Sequence, residues 1–284
     1  MVGVMIFTRY LMLQSQCTTL TQKCVFSLQS LQSRILHTGR VDERKTADVL
    51  GRFVADVAAD FGLSMAQVSV VTDNASNMLA AFRDRCLRLS CFAHCLNLVV
   101  TDMLHNANTD LQTLISNCKT LVRHFKHAAL QLKLKKTLKQ ECPTRWNSLY
   151  IMLESILSQY DDMHDLLAER KELRYLYAID KETLQVTVDF LEHFKVVSET
   201  VCSDTSPTIH MVVPCMARLT SLCRQADDNP EVIKSLKERG QDLLKTKVRL
   251  DVVHDLAAFL NPCMKGLTFL PGICFCHRII ITFI

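Results

Sequence analysis

Three groups of residues carry chemistry at a meaningful spacing. Asp73 ends the β-branched run QVSVVTDN, and α/β folds present functional groups just beyond the carboxyl ends of strands. A carboxylate there can ligate Mg²⁺ or Mn²⁺, and two such ions activate a nucleophile and stabilise a leaving oxygen in phosphodiester chemistry. The pair Asp73–Asn74 is also ordinary turn chemistry, and spacing alone leaves both readings open. Cys91 and His94 form a CxxH pair, with Cys95 adjacent and His105, Cys118, His124 and His127 downstream. Structural zinc takes four ligands, usually as two close pairs, and no second pair of suitable spacing follows. These residues therefore read as a packed Cys and His at a strand-to-helix junction, and no metal is expected.

The third group is basic. Lys119, Arg123, Lys126, Lys133, Lys135, Lys136 and Lys139 fall within a stretch that contains no Asp or Glu. Lys119, Arg123 and Lys126 share one helical face, where they can follow a phosphate backbone, although an ordinary solvated helix surface has the same pattern. Arg145 and Trp146, the only Trp, follow closely. An Arg beside an aromatic can stack on an unpaired base, while a lone Trp is more often a core anchor.

The elements that must hold these residues follow from length and pattern. The chain has 284 residues, 49% of them hydrophobic, with 7 Gly and 6 Pro, which excludes global disorder and a collagen-like chain. A net charge of +4 is too small to identify a nucleic-acid partner without local clustering. Thirteen irregularly spaced cysteines fit free thiols in a reducing compartment better than a disulfide framework. The apolar run within 272–284 is broken by His277 and Arg278 and is shorter than the ~20 residues a membrane span needs.

Residues 24–36 alternate as half-buried strand, and 46–61 repeat every three or four positions before Gly62, which predicts an amphipathic helix with a glycine stop. A strand up to Asp73, a short helix over 77–83 capped by Asn74 or Ser76, a strand over 87–93 and a helix over 94–105 come next. Asp42 and Glu43 read as capping residues of the first helix. Beyond these, 109–127, 144–169, 181–203, 208–226, 230–246 and 250–260 all show helical periodicity, so an α/β start gives way to a helical array.

The blocks VVTDNASNM (70–78), CFAHCLNLVV (91–100), CPTRWNSLYIML (142–153), TSPTIHMVVP (205–214) and AAFLNPCMKGLTFLP (257–271) together resemble the hAT transposase superfamily, in its domesticated branch of zinc finger BED domain-containing proteins. The resemblance implies an α/β fold of RNase H-like type, here partial, followed by a long all-helical insertion. The corresponding divisions are a poorly matched segment over 1–23, the α/β core over 24–108, the helical insertion over 109–260 and an apolar tail over 261–284. It also implies that Asp73 is the second carboxylate of a metal-binding Asp, Asp, Glu triad. By the same likeness Cys91 and His94 are the C/DxxH motif beside the active site, and Trp146 is the RW tryptophan near a flipped base.

The departures from the family pattern set the functional expectation. Residues 1–41 contain no Asp or Glu, and nothing after Asp255 is acidic, so two of the three carboxylates lack a candidate and a two-metal centre is incomplete. The expectation is a catalytically inactive, nuclear, transposase-derived chain. Mg²⁺ or Mn²⁺ would serve only an intact family member. Its expected partner is DNA, bound weakly and with sequence tolerance, or chromatin proteins, with no membrane role; the family's BED finger and C-terminal dimerisation region are not matched, and without the latter oligomerisation is left open. The alternatives are an active hAT-type transposase or nuclease and a protein-interaction scaffold without nucleic-acid affinity.

Overall fold

A computed structural model describes His37 and residues 42–142, 145–203, 206–226 and 229–264. The expected strand at 24–36, the segment 1–23 and the tail after 264 lie outside the described residues. No helix among the described residues is long and apolar enough to cross a membrane. The chain divides into two compact units, one of residues up to Cys91 with Cys202–Thr208, the other Phe92–Val201 with residues from Ile209 onward.

The first unit is α/β. Helix α1 (Ala47–Asp60) starts where the Thr46 hydroxyl accepts from the Val49 amide at 3.4 Å, so Thr46 supplies the cap expected of Asp42 or Glu43. Leu50, Val54, Val57 and Ala58 are its buried stripe, the i, i+3, i+4 pattern of a helix with one apolar face. Gly62 ends it with φ of +70°, a left-handed position that costs glycine little. Strand β1 (Ser69–Thr72), helix α2 (Ser76–Phe82) and strand β2 (Leu87–Ser90) follow. The two strands pair in parallel, Val70 opposite Arg88 and Thr72 opposite Ser90, with α2 in the crossover that parallel pairing requires. A methyl group at Gly51 would come within 2.5 Å of the Arg85 guanidinium and 3.0 Å of the Ala81 carbonyl, so the absence of a side chain at residue 51 permits the close approach of α1 to α2.

Among its described residues the second unit is built of helices: α3 (Phe92–His105), α4 (Thr109–His127), α5 (Trp146–Leu157), α6 (Tyr160–Glu169), α7 (Arg174–Tyr177), α8 (Lys181–Val201), α9 (Val212–Leu222), α10 (Glu231–Lys247) and α11 (Val252–Leu260). Leu96, Met103, Phe125, Leu153, Ile156 and Phe194 are among its fully enclosed side chains. Asn108 caps α4 by accepting from Leu111 N at 3.1 Å. The Gln112 amide reaches back to donate to the Leu104 and His105 carbonyls in the last turn of α3. Burial removes water from the Cys118 and Cys223 thiols and pushes their pKa values up to about 12 and about 11, so both behave as small apolar core groups.

Four expectations change. The strand expected over 87–93 ends at Ser90, because α3 already begins at Phe92. The helix expected over 144–169 is two helices, α5 and α6, because Gln159 turns inward. Its side-chain oxygen accepts from Lys136 N at 2.9 Å and its nitrogen donates to the Ser155 carbonyl at 3.3 Å. The helix expected from 208 becomes α-helical only at Val212, after a 3₁₀ turn over Ile209–Met211, which leaves Pro214 in the first α-turn where its missing N–H is harmless. Helix α7 has too few residues to show a period, and the pattern did not predict it.

Candidate nucleic-acid interface

At the end of β1 the chain makes an Asx turn, the Asp73 carboxylate accepting from Ala75 N at 3.2 Å. Asn74 and Ser76 do not cap α2. The residue before that helix is Ala75, which has no capping side chain, and the Asn74 oxygen accepts from Arg88 Nη2 at 2.7 Å and from the Ser90 hydroxyl at 2.8 Å. Arg88 also donates to the Asp73 carbonyl at 2.5 Å and to the Thr72 hydroxyl at 2.9 Å. A permanently charged guanidinium therefore sits in the turn that carries Asp73. Two divalent ions need several converging oxygen ligands, whereas here the neighbouring oxygens are saturated by a cation. The residues present do not fit the metal pair the resemblance implies.

Cys91 donates its amide to the Thr72 carbonyl at 2.7 Å, which extends the parallel ladder one step beyond β2. Cys91 closes the first unit, while His94 lies half-buried in the first turn of α3 in the second unit. Among the described residues no three His, Cys, Asp or Glu side chains come together as a metal site.

The basic residues form a continuous feature of the helical unit. Leu114, Cys118, Leu121 and Phe125 bury one side of α4, which leaves Arg123 and Lys126 exposed on the other with Lys119 half-exposed. After α4 the chain runs as a strap in which Leu130, Leu134 and Leu138 are buried and Lys133, Lys135, Lys136 and Lys139 are exposed. The strap is pinned through its backbone: Lys136 N donates to Gln159 and Lys139 N to the Ser155 hydroxyl at 3.1 Å. The backbone of the strap is thus fixed without using the Lys136 and Lys139 side chains.

The basic run nevertheless has acidic neighbours in three dimensions, which its sequence does not show. Lys119 pairs with Glu141 and Lys135 with Asp162 at 2.9 Å, while Lys126 donates to Gln140 at 2.9 Å. Among the described residues Arg123, Lys133, Lys136, Lys139 and Arg145 have no acidic partner. Trp146, the first residue of α5, is 6% exposed and belongs to the main core. It presents no ring face to an incoming base, and this corrects its placement among the nucleic-acid contacts. Arg145 beside it is exposed.

Sequence reading passed over Arg88, whose isolated charge in an apolar strand was the available signal. It also passed over Asp102 on α3, which accepts from Arg239 Nη2 at 2.8 Å and pairs with Lys247 at 3.0 Å. Those bonds pull its pKa down to about 2. The third omission is the Arg- and Tyr-bearing turn over 170–177.

Known proteins resemble this chain in sequence across both units. The ZBED1 RNase-like helical domain model matches residues 89–185. The Hobo transposase of Drosophila melanogaster is 30% identical over 223 residues, 78% of this chain and 34% of that protein. Human zinc finger BED domain-containing protein 6 is 24% identical over 219 residues, 69% of this chain and 22% of that protein. Human zinc finger protein 618 is 22% identical over 242 residues, 83% of this chain and 25% of that protein. The chain thus spans between about a fifth and a third of the length of these relatives. It is a transposase-derived protein of the hAT/BED type.

Proposed function

We propose that this chain is a catalytically inactive, transposase-derived module that binds DNA in the nucleus through the exposed face of α4 and the strap that follows it. The observation that carries the reading is the strap itself. Lys133, Lys136 and Lys139 point to solvent with no acidic partner among the described residues, on a backbone fixed by Gln159 and Ser155. Cations on an already fixed backbone neutralise phosphates at a smaller ordering cost, and counterion release supplies affinity that depends on salt rather than on sequence. The family membership adds weight, as does the likeness to Hobo, a transposase by name.

The fold we assign to the first unit is a partial RNase H-like core, supported by its parallel strands joined through α2, with the helical residues over 109–260 as the family's insertion. Inactivity rests on two observations. The chain has no acidic residue over 1–41 or after Asp255, and Arg88 saturates the oxygens around Asp73.

The test is a fluorescence titration with duplex DNA at two salt concentrations, alongside a nicking assay with Mg²⁺ or Mn²⁺. Binding near ~10⁻⁴–10⁻⁶ M that weakens steeply with salt is expected, and Gln at Lys133, Lys136 and Lys139 should flatten the salt slope for every sequence alike. Salt-independent or undetectable binding overturns the DNA reading in favour of a protein-interaction scaffold. Metal-dependent cleavage abolished by Asp73→Ala overturns inactivity.

A further inference from the structure

The segment 170–177, RKELRYLY, interleaves cations with two tyrosines on a tight turn. Lys171 sits at φ of +58° and Glu172 N donates back to the Leu167 carbonyl at 2.8 Å, which turns the chain sharply from α6 toward α7. Tyr177 is 69% exposed. Tyr175 lies parallel to the His124 ring of α4, centroids 4.1 Å apart at 15°. His124 is fixed in turn by Glu172, Nε2 to Oε2 3.1 Å, and Glu172 accepts from Arg170 Nε at 2.9 Å. The Arg174 guanidinium stands 5.0 Å from the Tyr175 ring centre. Together with Asn117, Thr120 and Ala178, these two residues line an open pocket of about 240 Å³.

We propose that this turn, with the adjoining face of α4, is a stacking site for unpaired bases of a single nucleic-acid strand. The inference rests on the nucleic-acid reading above and names a second class of ligand for the same helical unit. Three features point to it. Tyr177 is the exposed ring, and the turn that carries it is already ordered by the half-buried Tyr175 stacked on His124, so stacking there costs little ordering. Every base has a π-face for such a ring, but only an unpaired base exposes that face, and an arginine beside the aromatic adds a cation–π contribution. The charge also suits a phosphate backbone. Glu172 is engaged by Arg170 and His124, which leaves Lys171 and Arg174 without an acidic partner among the described residues. Arg123 lies one turn along α4 from Thr120, on the same exposed side.

The experiment compares a fluorescein-labelled oligothymidylate strand with a labelled duplex, each titrated with the full chain. Tyr177→Ala and Arg174→Gln alter exposed side chains, and retained helical circular dichroism will confirm their folding. Each variant should weaken single-strand binding about tenfold and change duplex binding less than about twofold, while Tyr175→Phe keeps the ring and the affinity. Unchanged single-strand affinity in both variants overturns the stacking site alone, because the wild type still binds. Equal losses on strand and duplex overturn it in favour of general charge. Salt-independent or absent binding of both probes by the wild type overturns this site together with the DNA reading.

Discussion

Arg88 and Asn74 are joined at the carboxyl end of the parallel strand pair, guanidinium to side-chain oxygen at 2.7 Å, and the same guanidinium holds the carbonyl of Asp73. This relationship separates two roles for Asp73. As a turn residue it needs only a side-chain oxygen to accept from Ala75 N, which Asn supplies equally well. Asp73→Asn should therefore change stability by less than about 0.5 kcal/mol. Arg88→Ala leaves Asn74, Ser90 and the Asp73 carbonyl short of a donor and should cost about 1–3 kcal/mol. Urea unfolding of both variants, with and without Mn²⁺, checks this. A Mn²⁺-dependent stabilisation of the wild type that Asp73→Asn removes would show a metal-binding carboxylate instead.

Acid should loosen the clamp between α3 and α10. Asp102 bonds Arg239 and Lys247, and these bonds, Arg239 first, draw its pKa down to about 2 from the ~3.9 of an unfolded chain. A carboxylate lowered on folding contributes its full stability above its unfolded pKa and loses it as pH falls through the folded value, here between about pH 5 and pH 2. Asp102→Asn should cost about 1–3 kcal/mol at neutral pH, and the gap to the wild type should close as pH falls over that range. A gap that stays constant down to pH 3 would refute the assignment.

Trp146 should act on stability rather than on base recognition. Its ring is 6% exposed, in the core with Leu149, Leu153 and Ile156. Trp146→Ala should cost about 3–5 kcal/mol, while Trp146→Phe, which keeps much of the buried ring, should cost less and leave duplex and single-strand affinity unchanged. Thermal melts paired with the two-probe titration measure both properties. A stable Trp146→Ala protein with lost single-strand binding would restore the base-platform role.

By itself the sequence determined the long helices outside 144–177 and where their apolar faces lie. The stripe Leu114, Cys118, Leu121, Phe125 marks α4, and the β-branched run to Thr72 marks β1, because burial on one face imposes the period of the backbone on the choice of residues. It also determined the family likeness and the basic run. Periodicity reports that a face is buried, not what lies against it, so everything that depends on partners distant in the chain waited for the tertiary structure. That structure decided that Gln159 breaks the helix expected over 144–169 to hold the strap, and that Glu141 and Asp162 neutralise Lys119 and Lys135. It decided that Trp146 faces the core and that Tyr175 lies on His124, 51 residues away. Arg88 shows the reason most directly. A charge in an apolar strand reads as a solvated side chain until the parallel register brings Thr72, Asp73 and Asn74 beside it, and only that pairing makes it the cation that fills the turn at Asp73.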